Sequence, residues 1–179
     1  MKHYSVMLFC FTVLLCLITV SCGEDVNKPN NTINMDEISA VITAEMKADL
    51  IAEGGYKETE FENGALPGYR VNKLNDKDFS LPIKYERDDF SDAVIISHEM
   101  NVNSDMILVM KARDDAAVAA LEGYAKALHN EQIRVWERYL PDQFQKVRDN
   151  IIKTSGRYVI YVTYDNPKKL VDAISNTIK

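Results

Sequence analysis

The sequence predicts an α+β fold, an antiparallel sheet of about four strands with helices packed on it. Two observations carry this. Apolar runs at 93–97 and 106–112 flank the turn-forming stretch Met100-Asn101-Val102-Asn103-Ser104, and a second hairpin spans 151–154 and 157–164 around Ser155-Gly156. Each hairpin is followed by a stretch with helical spacing, so strand, turn, strand, helix occurs twice. The repeat has an offset of 52 residues, Met106 to Tyr158 and Val118 to Leu170. Chemical identity between the halves is low, and both architectural repetition and ancestral duplication stay open.

The elements follow in order. Lys2 and His3 precede a run from Val6 to Val20 that is apolar except at Thr12 and Thr19. A charged start and an apolar stretch of this length mark a signal peptide. The run ends Ile18-Thr19-Val20-Ser21-Cys22-Gly23, which resembles the lipobox of bacterial lipoprotein signal peptides, with Thr19 where Leu is usual. That resemblance implies a diacylglycerol thioether on Cys22 and cleavage before it. The alternative is an uncleaved membrane-spanning helix. With Lys2 inside, either form places the rest of the chain outside the membrane. Residues 1–21 are therefore expected to be a lipoprotein signal peptide, 22–34 a flexible polar tether and 35–179 one domain. Cys10 and Cys16 fall within the apolar run, so a cleaved chain retains one thiol and forms no internal disulfide. The sequon Asn30-Asn31-Thr32 is read as chance.

The first helix is expected over 35–52. Asn34 caps it, Asp36 and Glu37 suit its positive end, and Gly54-Gly55 stops it. Its apolar stripe is Ile38, Val41, Ile42, Met46 and Leu50. Residues 56–91, with Pro67-Gly68 and Pro82, predict irregular packed chain with room for one short helix or strand. Asp114 is expected to cap a long helix reaching Tyr139, with Val118, Leu121, Ala125, Leu128, Val135 and Tyr139 along its stripe. Pro141 opens a second, short helix with Phe144 and Val147. Asn166-Pro167 starts the last helix, buried through Leu170, Val171, Ile174 and Ile178.

Side chains alternate along a strand. Leu108, Met110, Ile160, Val162 and Tyr164 are expected to form the main core under the 115–139 and 167–178 helices. Ile107, Val109, Val159, Tyr161 and Thr163 then share the other side, which is too apolar to lie bare. Either the first helix and residues 56–90 cover it, or a partner does. In the second case Ile107, Val109, Val159 and Tyr161 form a candidate binding face.

After Cys22 the chain carries 20 Lys and Arg against 27 Asp and Glu. Residues 22–125 hold 10 against 21, and residues 126–179 hold 10 against 6. The acidic balance argues against nucleic acid as a partner, because phosphate contacts require a dense basic surface. The basic C-terminal part is expected to offset the acidic part within one fold.

The run His98, Met100 to Met106, Val109-Met110-Lys111, then Tyr139-Leu140-Pro141 and Thr154-Ser155-Gly156-Arg157-Tyr158-Val159, resembles the bacterial lipoprotein family known as domain of unknown function 4358. The likeness spans roughly 80–179. It implies a lipid-anchored envelope protein and brings neither an activity nor catalytic residues.

His98 and His129 lie on different elements, without zinc-ligand spacing. Asn101, Asn103 and Asp105 mimic the first ligands of a calcium loop, but Met106 and Ala112 stand where Gly and Glu are required, so turn chemistry is the expected role. Ser97 and His98 are neighbours on a strand and point to opposite faces. Asp88, Asp89 and Asp92 offer paired carboxylates for glycoside hydrolysis, or simply an exposed acidic loop. Trp136 and Tyr139, with Arg134 and Arg138, suggest a stacking surface for sugars or bases; packing against the core is the preferred reading. No metal or cofactor is expected. The chain reads as a lipid-anchored envelope protein, a non-enzymatic binding or scaffolding module whose partner is an envelope protein or polymer. The alternative is a hydrolase acting on envelope polymers.

Overall fold

A computed structural model describes residues 33–179. The expected signal peptide with Cys10 and Cys16, the expected lipidation site Cys22 and the expected tether up to Thr32 lie outside the described residues.

Helix α1 (Met35–Ala52) forms where expected, with Asn34 Oδ1 accepting the Asp36 N–H at 3.0 Å. Ile38, Ile42 and Met46 are fully buried along one stripe. The 56–91 stretch fills the room left there for one short strand. After a 3-10 turn (Glu58–Gly64) it supplies strand β1 (Tyr69–Lys73), so the sheet has five strands rather than four. The entry to β1 depends on Gly68, whose φ of +80° suits glycine. A Cβ there would meet the Tyr56 hydroxyl at 3.3 Å and the His98 ring at 3.4 Å. Strands β2 (Phe90–His98) and β3 (Met106–Ala112) form the first hairpin. Strands β4 (Ile151–Ser155) and β5 (Tyr158–Thr163) form the second, turning through Gly156 at φ +54°.

The order is β1-β2-β3-β5-β4, antiparallel throughout. The central strands of the two hairpins, β3 and β5, pair directly, which joins the repeated units into one sheet. Helix α2 (Val118–Trp136) covers one face of the sheet. Helix α4 (Pro167–Ile178) covers the other together with α1. Asn166 caps α4, as expected.

The register corrects the expected assignment of faces. Leu108 stands opposite Tyr161, and Val109 opposite Ile160. Residues directly opposite in an antiparallel pair share a face. Leu108 and Met110 therefore pack with Val159 and Tyr161 beneath α2, joined by Leu74, Phe79, Leu81 and Phe90. Ile107 and Val109 pack with Ile160, Val162 and Tyr164 beneath α1 and α4, joined by Phe61 and Leu66. Alternation within each strand is as the sequence implies. The relation between strands is not, because a one-residue change of register exchanges every side chain between faces.

Helix α2 also departs from expectation at both ends. It begins at Val118, while Asp114 Oδ1 accepts the Ala117 N–H at 3.0 Å in the preceding turn. That hydrogen bond, and then Arg113, hold the Asp114 carboxyl below the usual carboxylate range. The helix ends at Trp136, and a turn carries Tyr139 off its axis. The buried stripe is Leu121, Ala125, Leu128, Gln132 and Trp136, so Val135 and Tyr139 are exposed rather than buried. Helix α3 (Pro141–Arg148) follows, with Val147 buried.

Candidate functional site

The two ends of the sheet differ in character. At one end the chain enters α1: the Tyr158 hydroxyl donates to the Ile33 carbonyl at 3.2 Å, and Lys73 pairs with Asp36. Tyr158 and Lys73 lie at the strand ends far from His98 and Met106. Those two residues flank the β2–β3 turn at the opposite end. The ends are separated by the seven residues of β3, or about 20 Å at roughly 3.3 Å per residue.

The turn is built by its own polar side chains. Asn103 Oδ1 accepts the Asp105 N–H at 2.9 Å, and the Met100 N–H donates to His98 Nδ1 at 3.1 Å. The Asp105 side chain, 1% exposed, accepts from Lys146 Nζ at 2.7 Å and from the Tyr69 hydroxyl at 2.6 Å. Lys146, 9% exposed, also reaches Asp165 at 3.2 Å. Ser104 bonds Gln143 through its backbone N–H at 2.9 Å and through its hydroxyl. Lys146 and Gln143 belong to α3, so this helix is clasped onto the turn by a buried ion pair and a neutral hydrogen-bond group. Burial, and then the facing Asp105 carboxylate, push the Tyr69 hydroxyl far above its ordinary range and keep it a donor.

Beside the clasp lies an exposed apolar surface. Met100, Val102, Val135 and Tyr139 are 43–60% exposed and are the exposed large hydrophobics of the described residues. They come from the β2–β3 turn, from the end of α2 and from the turn that follows it. Two adjoining hollows open beside Met100, Val135 and Tyr139. The smaller, about 270 Å³, runs along the turn from Ser97 to Met106 and carries Glu99. The larger, about 440 Å³, is lined by Asn101, Val135, Trp136, Arg138 and Tyr139. Asn101, Val135 and Trp136 line both. The Trp136 indole N–H donates to buried Gln132 at 2.9 Å, and its ring lies 5.7 Å from that of Tyr139. The indole is therefore fixed while Tyr139 stands free beside it. An apolar wall with a few convergent polar groups is the ordinary composition of a binding site.

Ile107, Val109, Val159 and Tyr161 are fully buried, in two separate cores, and form no common face. Their cover is internal, but it comes from all of α1, α2 and α4 rather than from the first helix and residues 56–90 alone. Cys22 lies outside the described residues. Asn103 and Asp105 are engaged by the turn, Lys146 and Tyr69, while Asn101 faces the hollows. Among the described residues no three His, Cys, Asp or Glu side chains gather to hold a metal. Asp89 accepts from the Tyr124 hydroxyl at 2.5 Å, and Asp92 accepts the Ala93 N–H. The His98 ring packs edge-on to Tyr69, with centroids 4.9 Å apart. Trp136 is core, as preferred, but Tyr139 does not seal that core. Sequence reasoning missed the Asp105–Lys146–Tyr69 group, whose members are 36 and 41 residues apart and carry no local signal.

Fold and site together define a small α+β domain, its sheet covered on both faces, with an apolar recess at one end. A family model described as Domain of unknown function (DUF4358) matches residues 67–164, and the chain belongs to that family. The matched stretch includes all five strands and contains α2, α3 and the clasp. No curated protein and no solved structure matches the chain. No helix of the described residues is long and apolar enough to cross a membrane.

Proposed function

We propose that this protein is a lipid-anchored module on the outer face of the cell membrane that binds an envelope partner through the recess beside the β2–β3 turn. The reading is carried by one observation. Three of the four exposed large hydrophobics of the described residues, Met100, Val135 and Tyr139, line two adjoining hollows, at the end of the sheet opposite the start of α1. Exposed apolar side chains that cluster in this way mark interaction surfaces. The leader and Cys22 support the anchor. The clasp fixes the wall of the recess before a partner arrives, which lowers the ordering cost of binding.

One fractionation tests both halves. Wild-type protein is expected in the membrane fraction, within an assembly larger than the free lipoprotein on native electrophoresis. Cys22→Ser is expected to leave the membrane fraction or to remain uncleaved. The triple variant Met100→Ser, Val135→Ser, Tyr139→Ser should stay in the membrane fraction but migrate as the free lipoprotein. Cys22→Ser that both fractionates and migrates as the wild type does overturns the anchor, and an unchanged assembly in the triple variant overturns the recess.

A further inference from the structure

The chemistry of the larger hollow narrows the class of partner. Three of its five lining side chains, Val135, Trp136 and Tyr139, are apolar or aromatic, and the other two are Asn101 and Arg138. Arg134, four residues before Arg138, has its guanidinium taken by Glu131. Arg138 has no ion pair among the described residues. In a chain of net charge −6, the hollow thus carries a cation beside an aromatic wall.

We infer that the hollow receives a protein segment carrying a large aromatic or aliphatic side chain next to a carboxylate. The side chain packs on Trp136, Tyr139 and Val135, and the carboxylate meets the Arg138 guanidinium, with Asn101 donating alongside. An arginine presents a fork of donors matched to a carboxylate. Glu99 in the adjoining hollow sets the direction, since it repels a second acid and leaves the Arg138 side as the acidic end. A glycan fits less well. Its hydroxyls each need a partner when buried, and the hollow offers two polar side chains. This inference rests on the proposed role of the recess and adds to it the chemistry of the occupant.

The chain has one tryptophan, so its emission reports on the two adjoining hollows that Trp136 lines. The test uses the full-length lipoprotein in non-ionic detergent. It is titrated with three acetylated, amidated hexapeptides in a Gly-Ser background, carrying Phe-Asp, Phe-Lys or Ser-Asp at the centre. A saturable change in Trp136 emission is expected with Phe-Asp. Phe-Lys should bind at least about tenfold more weakly, because like charges then face each other. Ser-Asp should give no saturable change. Arg138→Glu, an exposed position, should reverse the order of Phe-Asp and Phe-Lys, and Arg138→Gln should level it. An order unchanged by Arg138→Glu overturns the inference. So does saturation by a chitin-type tetrasaccharide or by phosphatidylglycerol vesicles in place of the peptides, or a failure of all three peptides to saturate. These outcomes are distinct from failure of the recess itself, which the native assembly of the triple variant reads independently of peptide chemistry.

Discussion

Lys146→Ala is expected to cost about 3–5 kcal/mol of folding stability, because it leaves the Asp105 carboxylate buried without its ammonium partner. Surface ion pairs are worth far less, and the distinction here is burial: the two side chains are 9% and 1% exposed. Removing one charge strands the other, whereas removing both takes away the attraction and the desolvation cost together. The double variant Lys146→Met, Asp105→Leu should therefore recover much of the loss, although the Tyr69 hydroxyl then lacks its acceptor. Urea denaturation of the single and double variants makes the comparison. A loss below about 1 kcal/mol for Lys146→Ala would place the pair among ordinary surface bridges. Because Gln143 and Lys146 both bind the β2–β3 turn, the same substitution should loosen α3 without displacing α4, whose packing on β4, β5 and α1 is separate.

Tyr161→Ala carries an effect of similar size, about 3–5 kcal/mol, from the cavity left by a fully buried ring. The ring sits between Leu108, Val159 and the α2 stripe, and burial pushes its hydroxyl up to about 12. Tyr161→Phe keeps the ring and forfeits only a 3.3 Å hydrogen bond from Thr163, so about 0.5–1.5 kcal/mol is expected. Tyr139→Ala, by contrast, removes a ring that is 52% exposed and should change stability by no more than about 0.5 kcal/mol. Thermal or chemical unfolding of the three variants separates a core tyrosine from a surface one. A mild Tyr161→Ala would mean that the β5 side chains are not packed as described.

Much of the fold was legible in the sequence. The ends of α1, β3 and α4 follow from Asn34, the apolar run at Met106 and Asn166-Pro167, signals complete within a few residues. Strand β1 was obscured because it is five residues long and lies at the sheet edge, with Arg70 and Asn72 alternating against Tyr69 and Val71. Face assignment failed between strands because register is a tertiary property, settled by which residues of β3 and β5 stand opposite. The end of α2 misled for a geometric reason. Trp136 continues the stripe of Leu121, Ala125, Leu128 and Gln132 at spacings of three and four, while Val135 lies about 100° away around the axis. Tyr139 is past the helix altogether. Of the site, Trp136, Tyr139, Arg138 and the Met100–Ser104 turn drew notice as separate features. Nothing in the sequence says that the turn and the end of α2 meet, because that contact exists only once both hairpins and α2 have packed.

Site-specific photocrosslinking in intact cells tests the central claim most directly, with a photoreactive phenylalanine analogue at position 139 and, as a control, at exposed position 77. Position 139 borders the larger hollow, whereas Lys77 follows β1 beyond its Lys73 end, away from the turn. A single protein adduct of reproducible mass from position 139, absent from position 77 and lost when Met100 and Val135 are changed to Ser, is the predicted result. Adducts of the same yield from both positions, or none from position 139, would contradict it.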